Sequence, residues 1–396
     1  MIVHKIQKDL RLFLKKLLIA KIKKYGLRQR EVYMHGLLND KNSFMQALDE
    51  SENREIHAFW APFLRGRSLF DFRYFSFYKY VQSMSKTQWP LSYYIPDDFW
   101  EVYVDAFLTN PKKSKVVDDK NLYDLYFYDI NQPRTIFRKI GDVFLDKEYQ
   151  VIDFDNVFQL CCCEDEIIIK KASDSVGGKD IFFWNKKMSK QALLSFLKND
   201  NLIAQEVVKQ HSVLEGIHSS SVNTIRVITM FFDNEIVPLS SLLKMGVDHA
   251  RVDNSHSGGI FCGINDDGTL KPIAYDVTGK MYMQHPQGTF FSEIIIPNYD
   301  KCIGLLKKVG MRLSNATKLQ SWDLSIDEKG NPMLIEVNAT FGGIDFHQMC
   351  NGPIMGDLTP KLLDFVFSNN PLLNKDKRKN IDEETLTNNI LSAAGL

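Results

Sequence analysis

The stretch that most constrains this chain is SWDLSIDEKGNPMLIEVNATFGGID at 321–345. Trp322, Leu324 and Ile326 alternate with Asp323, Ser325 and Asp327, the period of a strand with one buried face. Glu328, Lys329, Gly330 and Asn331 are turn residues, and Gly330 and Asn331 tolerate positive φ. The return strand runs from Met333 to Val337, with Leu334, Glu336 and Asn338 expected on one face. A four-residue loop then places Asp323 opposite Glu336, with Asn338 one step beyond. Two carboxylates and an amide oxygen are a donor set for a hard cation such as Mg²⁺, which completes its shell with phosphate and water. The bland reading is a solvated polar face. Against it, an ionised Glu336 inside Leu334-Ile335-Glu336-Val337 is costly unless paired or metal-bound.

At 396 residues the chain has length for two or three domains. With 44% apolar and 25% charged residues it has an ordinary globular composition. Lys+Arg and Asp+Glu both number 49, so net charge points to no particular partner, and no nucleic-acid signature is present. Of six cysteines, Cys161, Cys162 and Cys163 are consecutive and Cys262, Cys302 and Cys350 are scattered. That is a poor disulfide framework and implies a reducing, cytoplasmic setting, with the run read as small hydrophobes flanking a strand. Charges interrupt every apolar run well short of about 18 residues, so no membrane span is expected. The apolar stretch at 17–20 is too short for a signal peptide.

Residues 1–30 carry ten Lys/Arg and one Asp, and Ile6, Leu10, Phe13, Leu14 and Leu17 recur at helical spacing. This is a basic amphipathic helix whose ordinary role is to pack on the protein's own body. Peripheral contact with the inner face of a membrane is a secondary expectation. Residues 31–115 read as a helical region rich in Phe, Trp and Tyr, a packed core rather than a base-stacking platform. Within it, Pro96-Asp97-Asp98 with Glu101 suggests a capped helix start, and 111–115 suggests a linker.

From Val116 the texture changes to alternating strands and helices. Lys120 stands at a helix start, where the dipole disfavours a cation. Ile167-Ile168-Ile169-Lys170 is a β-branched run ending in Lys, followed by a Ser/Gly loop containing Ser175, Gly177 and Gly178. Backbone N–H groups in such a loop can approach phosphate oxygens while the Lys supplies charge. A helix is expected at 188–197 and a strand at 202–208. S-V-N-T-I-R at 221–226 directs Asn223 and Arg226 toward a site, and Lys244 and V-D-N at 252–254 follow.

In this order, D-K at 119–120, the Lys-then-glycine loop, S-V-N-T-I-R, V-D-N-x-x-x-G-G-I and W-D…G-N-P-x-L-I-E-V-N-A resemble the ATP-grasp superfamily. Within it they resemble the sugar-transfer-associated group of polysaccharide-assembly proteins. The likeness covers roughly residues 95–345. It implies an α+β ATP-grasp fold, two subdomains clasping ATP, behind the helical region: a lid subdomain at 116–205, a large subdomain with the metal hairpin at 206–368, and a polar tail at 369–396. It implies that Lys120, Lys170, Ser175, Gly177 and Gly178 meet the phosphates, and that Gln205, Glu206 and Val208 line the adenine site with Glu215 on the ribose. Asp323, Glu336 and Asn338 would hold one or two Mg²⁺, and Arg226, Lys244 and Asn254 would serve the chemistry. Two departures stand out: Lys244 occupies a place where Arg is usual, and the helical N-terminal region replaces an α/β domain.

The implied activity is an ATP- and Mg²⁺-dependent ligase joining a carboxylate to an amine (or to a thiol or hydroxyl) through an acylphosphate, with an amino acid or amine and a sugar acid as its small-molecule substrates. Rivals are an ATP-dependent small-molecule kinase on the same fold and a non-catalytic nucleotide-binding scaffold. The presence of Asp323, Glu336 and Asn338 counts against the scaffold. Neither the substrates nor the oligomeric state has a motif.

Overall fold

The computed structural model describes residues 46–85, 87–109, 111–173, 181–198, 201–254, 258–277, 279–339, 342–374 and 376. The basic helix at 1–30, the loop residues Ser175, Gly177 and Gly178, and nearly all of the tail lie outside the described residues.

Two antiparallel sheets organise the chain. The first contains β1 (Thr135–Ile140), β2 (Val143–Leu145), β3 (Val151–Ile152), β4 (Glu166–Lys171), β5 (Ile181–Asn185) and β6 (Asn201–Glu206), in the order β3-β2-β1-β6-β4-β5. Helices Phe154–Cys162 and Lys190–Phe196 complete its core around Phe137, Val157, Ile167, Trp184 and Leu193. The cysteine run belongs to the first of these helices rather than to a strand flank: Cys161 is buried, while Cys162 and Cys163 are exposed.

The second sheet contains β7 (Thr224–Phe232), β8 (Glu235–Met245), β9 (Ile260–Ile264), β10 (Leu270–Tyr275), β11 (Met281–Tyr282), β12 (Leu319–Ile326) and β13 (Pro332–Asn338), in the order β11-β10-β9-β8-β7-β12-β13. Strand alternation sorts its residues onto two faces. Ile225, Val227, Leu243, Cys262, Trp322 and Leu324 face helix Tyr299–Leu313. The opposite face is divided: Ile228, Met230, Leu242 and Phe261 are covered by the aromatic N-terminal helices and by helices Asp345–Asn351 and Thr359–Asn369. The other end of that face carries charge.

The N-terminal layer is held to this face by polar ties as well as rings. Gln348 donates to the Ile95 carbonyl (2.8 Å) and the Tyr78 hydroxyl (3.2 Å) and accepts from Ile95 N (3.0 Å). Asn370 Nδ2 donates to the Tyr103 carbonyl (2.7 Å). Tyr78 stacks on Tyr94 at 4.6 Å between centroids, and Trp60 meets Phe70 and Phe99 edge-on.

Local expectations here need two corrections. The start at 97 is capped by Pro96 with no side-chain bond, and the turns at Trp100–Asp105 are π-helical; buried Asp98 accepts from Phe99 N instead of closing a capping box. The supposed linker is a helix, Pro111–Val117, with proline at its first position, where the missing N–H has no intrahelical partner to lose.

Candidate active site

The hairpin of β12 and β13 gives the site its geometry. Asp323 pairs with Glu336 and Ser321 with Asn338, but by a different route from the one expected. Ile326 pairs with Pro332, so the loop is five residues, 327–331; its backbone closes through Asp327 N to the Asn331 carbonyl (2.9 Å). The register then shifts between Asp323 and Leu324, leaving Ile335 as an extra residue on β13. This bulge restores the Asp323–Glu336 pairing and puts Leu334 with Val337 on the core side, not with Glu336.

Asp323 is buried at 3% exposure and carries the densest set of partners. Arg226 on the neighbouring β7 grips it bidentately, Nε to Oδ1 at 2.9 Å and Nη2 to Oδ2 at 2.6 Å, and Lys244 on β8 donates to Oδ2 at 3.1 Å. Burial alone would raise the Asp323 carboxyl; the two cations overrule it and hold it well below the carboxylate range.

Glu336 is paired with the Lys120 ammonium at 2.7 Å. Burial opposes its ionisation, but Lys120 holds its pKa below normal. Lys120 reaches it because the segment around 118–131 runs along the free edge of β13. Tyr123 Oη donates to the Val337 carbonyl (3.1 Å) and accepts from Val337 N (3.0 Å), while Ala339 N donates to Asp118 Oδ1 (2.8 Å). The Lys120 backbone N donates to the Ala172 carbonyl at the end of β4 (2.9 Å), and Asp119 caps the short turn Lys120–Leu122. Tyr149 Oη (2.8 Å) and buried Arg138 Nε (3.2 Å) both donate to the Asn121 carbonyl. The cation at a helix start thus has its reason in a carboxylate from another element.

Lys170, on β4, faces the same cluster. Burial, then repulsion from Lys120, lowers its pKa to about 8 despite attraction from Glu336 and Asp323. Asp253 joins from the loop after β8. It accepts from Thr224 N (3.2 Å) and from the Thr224 hydroxyl, lies 4.0 Å from Lys244, and is raised above the usual carboxylate value by burial. His347 lies over β8 with Nδ1 2.8 Å from Ser240 Oγ and a buried Nε2 without partner; burial and then Arg226 push its pKa down to about 3, so it is neutral. Four cationic and three anionic side chains thus meet on one sheet face.

The structure therefore brings together Lys120, Lys170, Arg226, Lys244, Asp323, Glu336 and Asn338. Asn254 sits beside Asp253, where its carbonyl accepts from Gly259 N (3.0 Å). Gln205 and Glu206 adjoin on β6: Gln205 Nε2 donates to the Pro133 carbonyl (3.2 Å), and Glu206 accepts from Arg134 N (3.0 Å) and pairs with Arg134 Nε (3.2 Å). Val208 is half-buried, and Glu215 is exposed on the short helix Ser212–Glu215. Asn223 does not face the cluster. It is fully buried, donating to Gln210 Oε1 and to the Leu214 and His218 carbonyls, and so pins the segment before β7. Asp253 and His347 are additions. Asp253 lay inside the V-D-N motif, whereas nothing local marks His347, whose place depends on where its helix docks.

Asp323, Glu336 and Asn338 can be tested as metal ligands on this geometry. The donors are oxygens, and the half-buried Asn338 carboxamide leaves its buried Nδ2 without a partner one step from Glu336. Both features suit a hard cation held through the amide oxygen. Asp323 fits only by sharing its oxygens with Arg226 and Lys244. Among the described residues no group of three or more His, Cys, Asp or Glu forms a metal cluster, so the amide is needed to complete the set.

Residues 105–361 match the sequence model of a family described as sugar-transfer associated ATP-grasp. Solved structures with a similar course include a biotin carboxylase–ATP-analogue complex from Campylobacter jejuni (10% identity, TM-score 0.38, 63% of this chain and 46% of that one). Others are an L-amino acid ligase from Bacillus licheniformis (11%, 0.35, 80% and 61%) and a D-alanine–D-alanine ligase from Bacillus anthracis (16%, 0.36, 68% and 72%). The chain spans less than half of the biotin carboxylase it resembles. No curated protein matches it.

Proposed function

The chain belongs to the sugar-transfer associated ATP-grasp family, and on that premise we propose that it is an ATP- and Mg²⁺-dependent, ADP-forming carboxylate–amine ligase. The observation that carries this reading is the charged cluster itself, in which Lys120 and Lys170 beside the first sheet meet Glu336, Asp323, Arg226 and Lys244 of the second. A polyanion bound between the sheets would find cations on both sides.

The residues divide by what they can reach. Lys120 and Lys170 neutralise phosphate oxygens from the first sheet's side. Arg226 and Lys244, tied to Asp323, fix a second anion, the carboxylate to be activated, in line with the transferred phosphoryl group. Mg²⁺ held by Glu336 and Asn338, with Asp323 sharing, would supply further charge to the phosphates. The glycine-bearing loop at 173–179 would exclude water, protecting an acylphosphate until an amine attacks. A sugar acid as carboxylate and surface-polysaccharide assembly as setting are the finer parts of the proposal, supported by the family description alone. The same holds for action in the cytoplasm at the inner membrane face. No described helix is long and apolar enough to cross a membrane.

Nucleotide turnover tests the reading, with wild type beside Glu336→Ala and pooled sugar acids, amino acids and amines. ADP should appear only with a carboxylate–amine pair and disappear in the variant. A stable phosphorylated product without amine would establish a kinase. Tight ATP binding without turnover, equal in wild type and variant, would leave the metal assignment wrong.

A further inference from the structure

His347 is 1% exposed, its Nδ1 is occupied by Ser240 Oγ at 2.8 Å, and its Nε2 is buried without a partner. A histidine that merely fills a core has both nitrogens satisfied, because an orphaned buried polar atom is costly. The surrounding elements place this ring beside the charged cluster. Phe346, the residue before it, stacks on Phe261 at 4.1 Å between centroids, and Phe261 is the register partner of Lys244. Ser240 pairs with Ile228 and Leu242 with Arg226. The ring's anchor therefore lies two residues, about 7 Å at strand rise, from the row that holds Arg226, on the same face. Arg226, Asp323 and Lys244 are the charges that act on the ring.

The bonds behind Nδ1 decide which nitrogen carries the proton. Asn351, on the same helix as His347, donates from Nδ2 to the Ser241 carbonyl and to Ser240 Oγ, each at 2.8 Å. A carbonyl can only accept, so Ser241 fixes the amide's orientation, and the Ser240 oxygen receives the other Nδ2 proton. The hydroxyl's own hydrogen is then directed to its remaining partner, His347 Nδ1. Nδ1 accepts, and in a neutral ring the proton sits on Nε2. Burial and Arg226 keep the ring neutral. Gly263 makes room for this chain of bonds, since a Cβ there would collide with Asn351 Oδ1. The result is an uncharged N–H donor, buried and unused, beside two cations.

We propose that His347 is a catalytic residue whose Nε2–H donates to one oxygen of the substrate carboxylate, with Ser240 and Asn351 as positioning residues that fix its tautomer. A neutral donor selects an acceptor oxygen without adding charge beside Arg226 and Lys244. Resting on the ligase reading, the chemistry is this. One carboxylate oxygen attacks the γ-phosphorus, and ADP leaves with the electron pair of the broken P–O bond. The other oxygen becomes the carbonyl oxygen of the acylphosphate and stays on His347. When the amine's lone pair adds to that carbon, the C=O pair moves onto the same oxygen, and the N–H meets the developing charge. The pair then returns, the bond from carbon to phosphate oxygen breaks, and the leaving phosphate takes the amine's proton.

The test uses the full chain, labelled with ¹⁵N-histidine, and acetate as the probe carboxylate. The ring signals of His347 are identified by their loss in His347→Phe, and metal-free ATP binding serves as the folding check for every variant. The wild type should show the Nε2–H tautomer, and acetate should move the Nε2 signal saturably while chloride at equal ionic strength does not. Ser240→Ala, a smaller change than any at His347, should mix the tautomers and weaken the acetate response several-fold; Ser240→Thr should restore both. An Nδ1–H tautomer in the wild type, a tautomer indifferent to Ser240→Ala, or an Nε2 signal that acetate does not move overturns the assignment. Turnover keeps this separate from the ligase reading. With an active carboxylate–amine pair, His347→Phe should lower kcat about a hundredfold at unchanged KM for ATP, and His347→Gln should recover part of it. Wild-type kcat in His347→Phe would remove His347 and leave the ligase. If acetate moves Nε2 as expected but no pair yields ADP, His347 stands as a carboxylate ligand and the ligase reading falls.

Discussion

Asp323 is the residue on which the cluster balances. Its two oxygens satisfy Arg226 and Lys244, so removing the carboxylate leaves two cations facing each other in a nearly closed space. Breaking a buried pair from one side costs about 3–5 kcal/mol, chiefly through the charge left behind. Asp323→Asn and Arg226→Met should therefore each destabilise the fold by roughly that amount, and the double variant by clearly less than the sum; urea unfolding of the four proteins measures this. Strict additivity would mean that the pair contributes nothing as a pair. Lys170 supports a prediction in pH. Burial and Lys120 bring its pKa down to about 8, so it is cationic below that value and neutral above it. Phosphate favours the charged form, so metal-free ATP should bind with constant affinity below about pH 8 and lose up to about tenfold per unit above it. Lys170→Arg should flatten that limb in a calorimetric titration; an unchanged limb would assign the titration to another group.

At the scale of elements, the β12–β13 hairpin shows why a register can be read from sequence while its construction cannot. The alternation of Trp322, Leu324 and Ile326 against Asp323 fixes which side chains share a face, and the cost of burying Glu336 demands a partner. Both are local facts, and both are realised in the Asp323–Glu336 pairing and the Lys120 bridge. The five-residue loop and the bulge at Ile335 compensate each other, so neither leaves a trace in the pairing. Asn223 misled because a polar residue two positions before a core strand residue reads the same whether it faces a ligand or holds two backbone carbonyls and a neighbouring amide. Pro111 misled because proline marks both linkers and helix starts. The bulge itself is testable. Deleting Ile335 leaves Leu334 opposite Leu324 and Glu336 opposite Asp323, now in a regular ladder. Stability should change by no more than about 1–2 kcal/mol, while ATP affinity falls at least tenfold because the strand no longer bends to aim Glu336 at Lys120. Circular dichroism melts and nucleotide titration separate the two effects, and retained affinity would make the bulge incidental.

For the whole molecule, the question is whether the aromatic N-terminal layer is an appendage or part of the fold. Its composition announced a packed core, but no sequence pattern says against what it packs. In the structure, Trp60, Phe75, Tyr78 and Phe99 share one core with Ile228, Met230, Leu242 and Phe261 of the second sheet, and with Leu362, Leu363 and Val366 near the other end of the described chain. Each of those four sheet residues contributes roughly 1.5–3 kcal/mol through burial, a total on the order of the whole stability of a domain. The first sheet, by contrast, closes a core of its own around Phe137 and Trp184. A chain beginning at Pro111 should thus keep the first sheet's ability to fold while losing the second: it should be largely insoluble, or bind a hydrophobic dye without a cooperative melt. The intact chain should lose the N-terminal layer and the second sheet in one transition. Hydrogen exchange would show it directly, with amides of Tyr74–Ser85 and of β7 opening together and amides of β4 opening independently. Saturating ATP should raise protection in both sheets at once, because Lys120 and Lys170 lie on one side of the cluster and Glu336 and Asp323 on the other. If β7 keeps its protection after the layer is removed, the helices are an appendage.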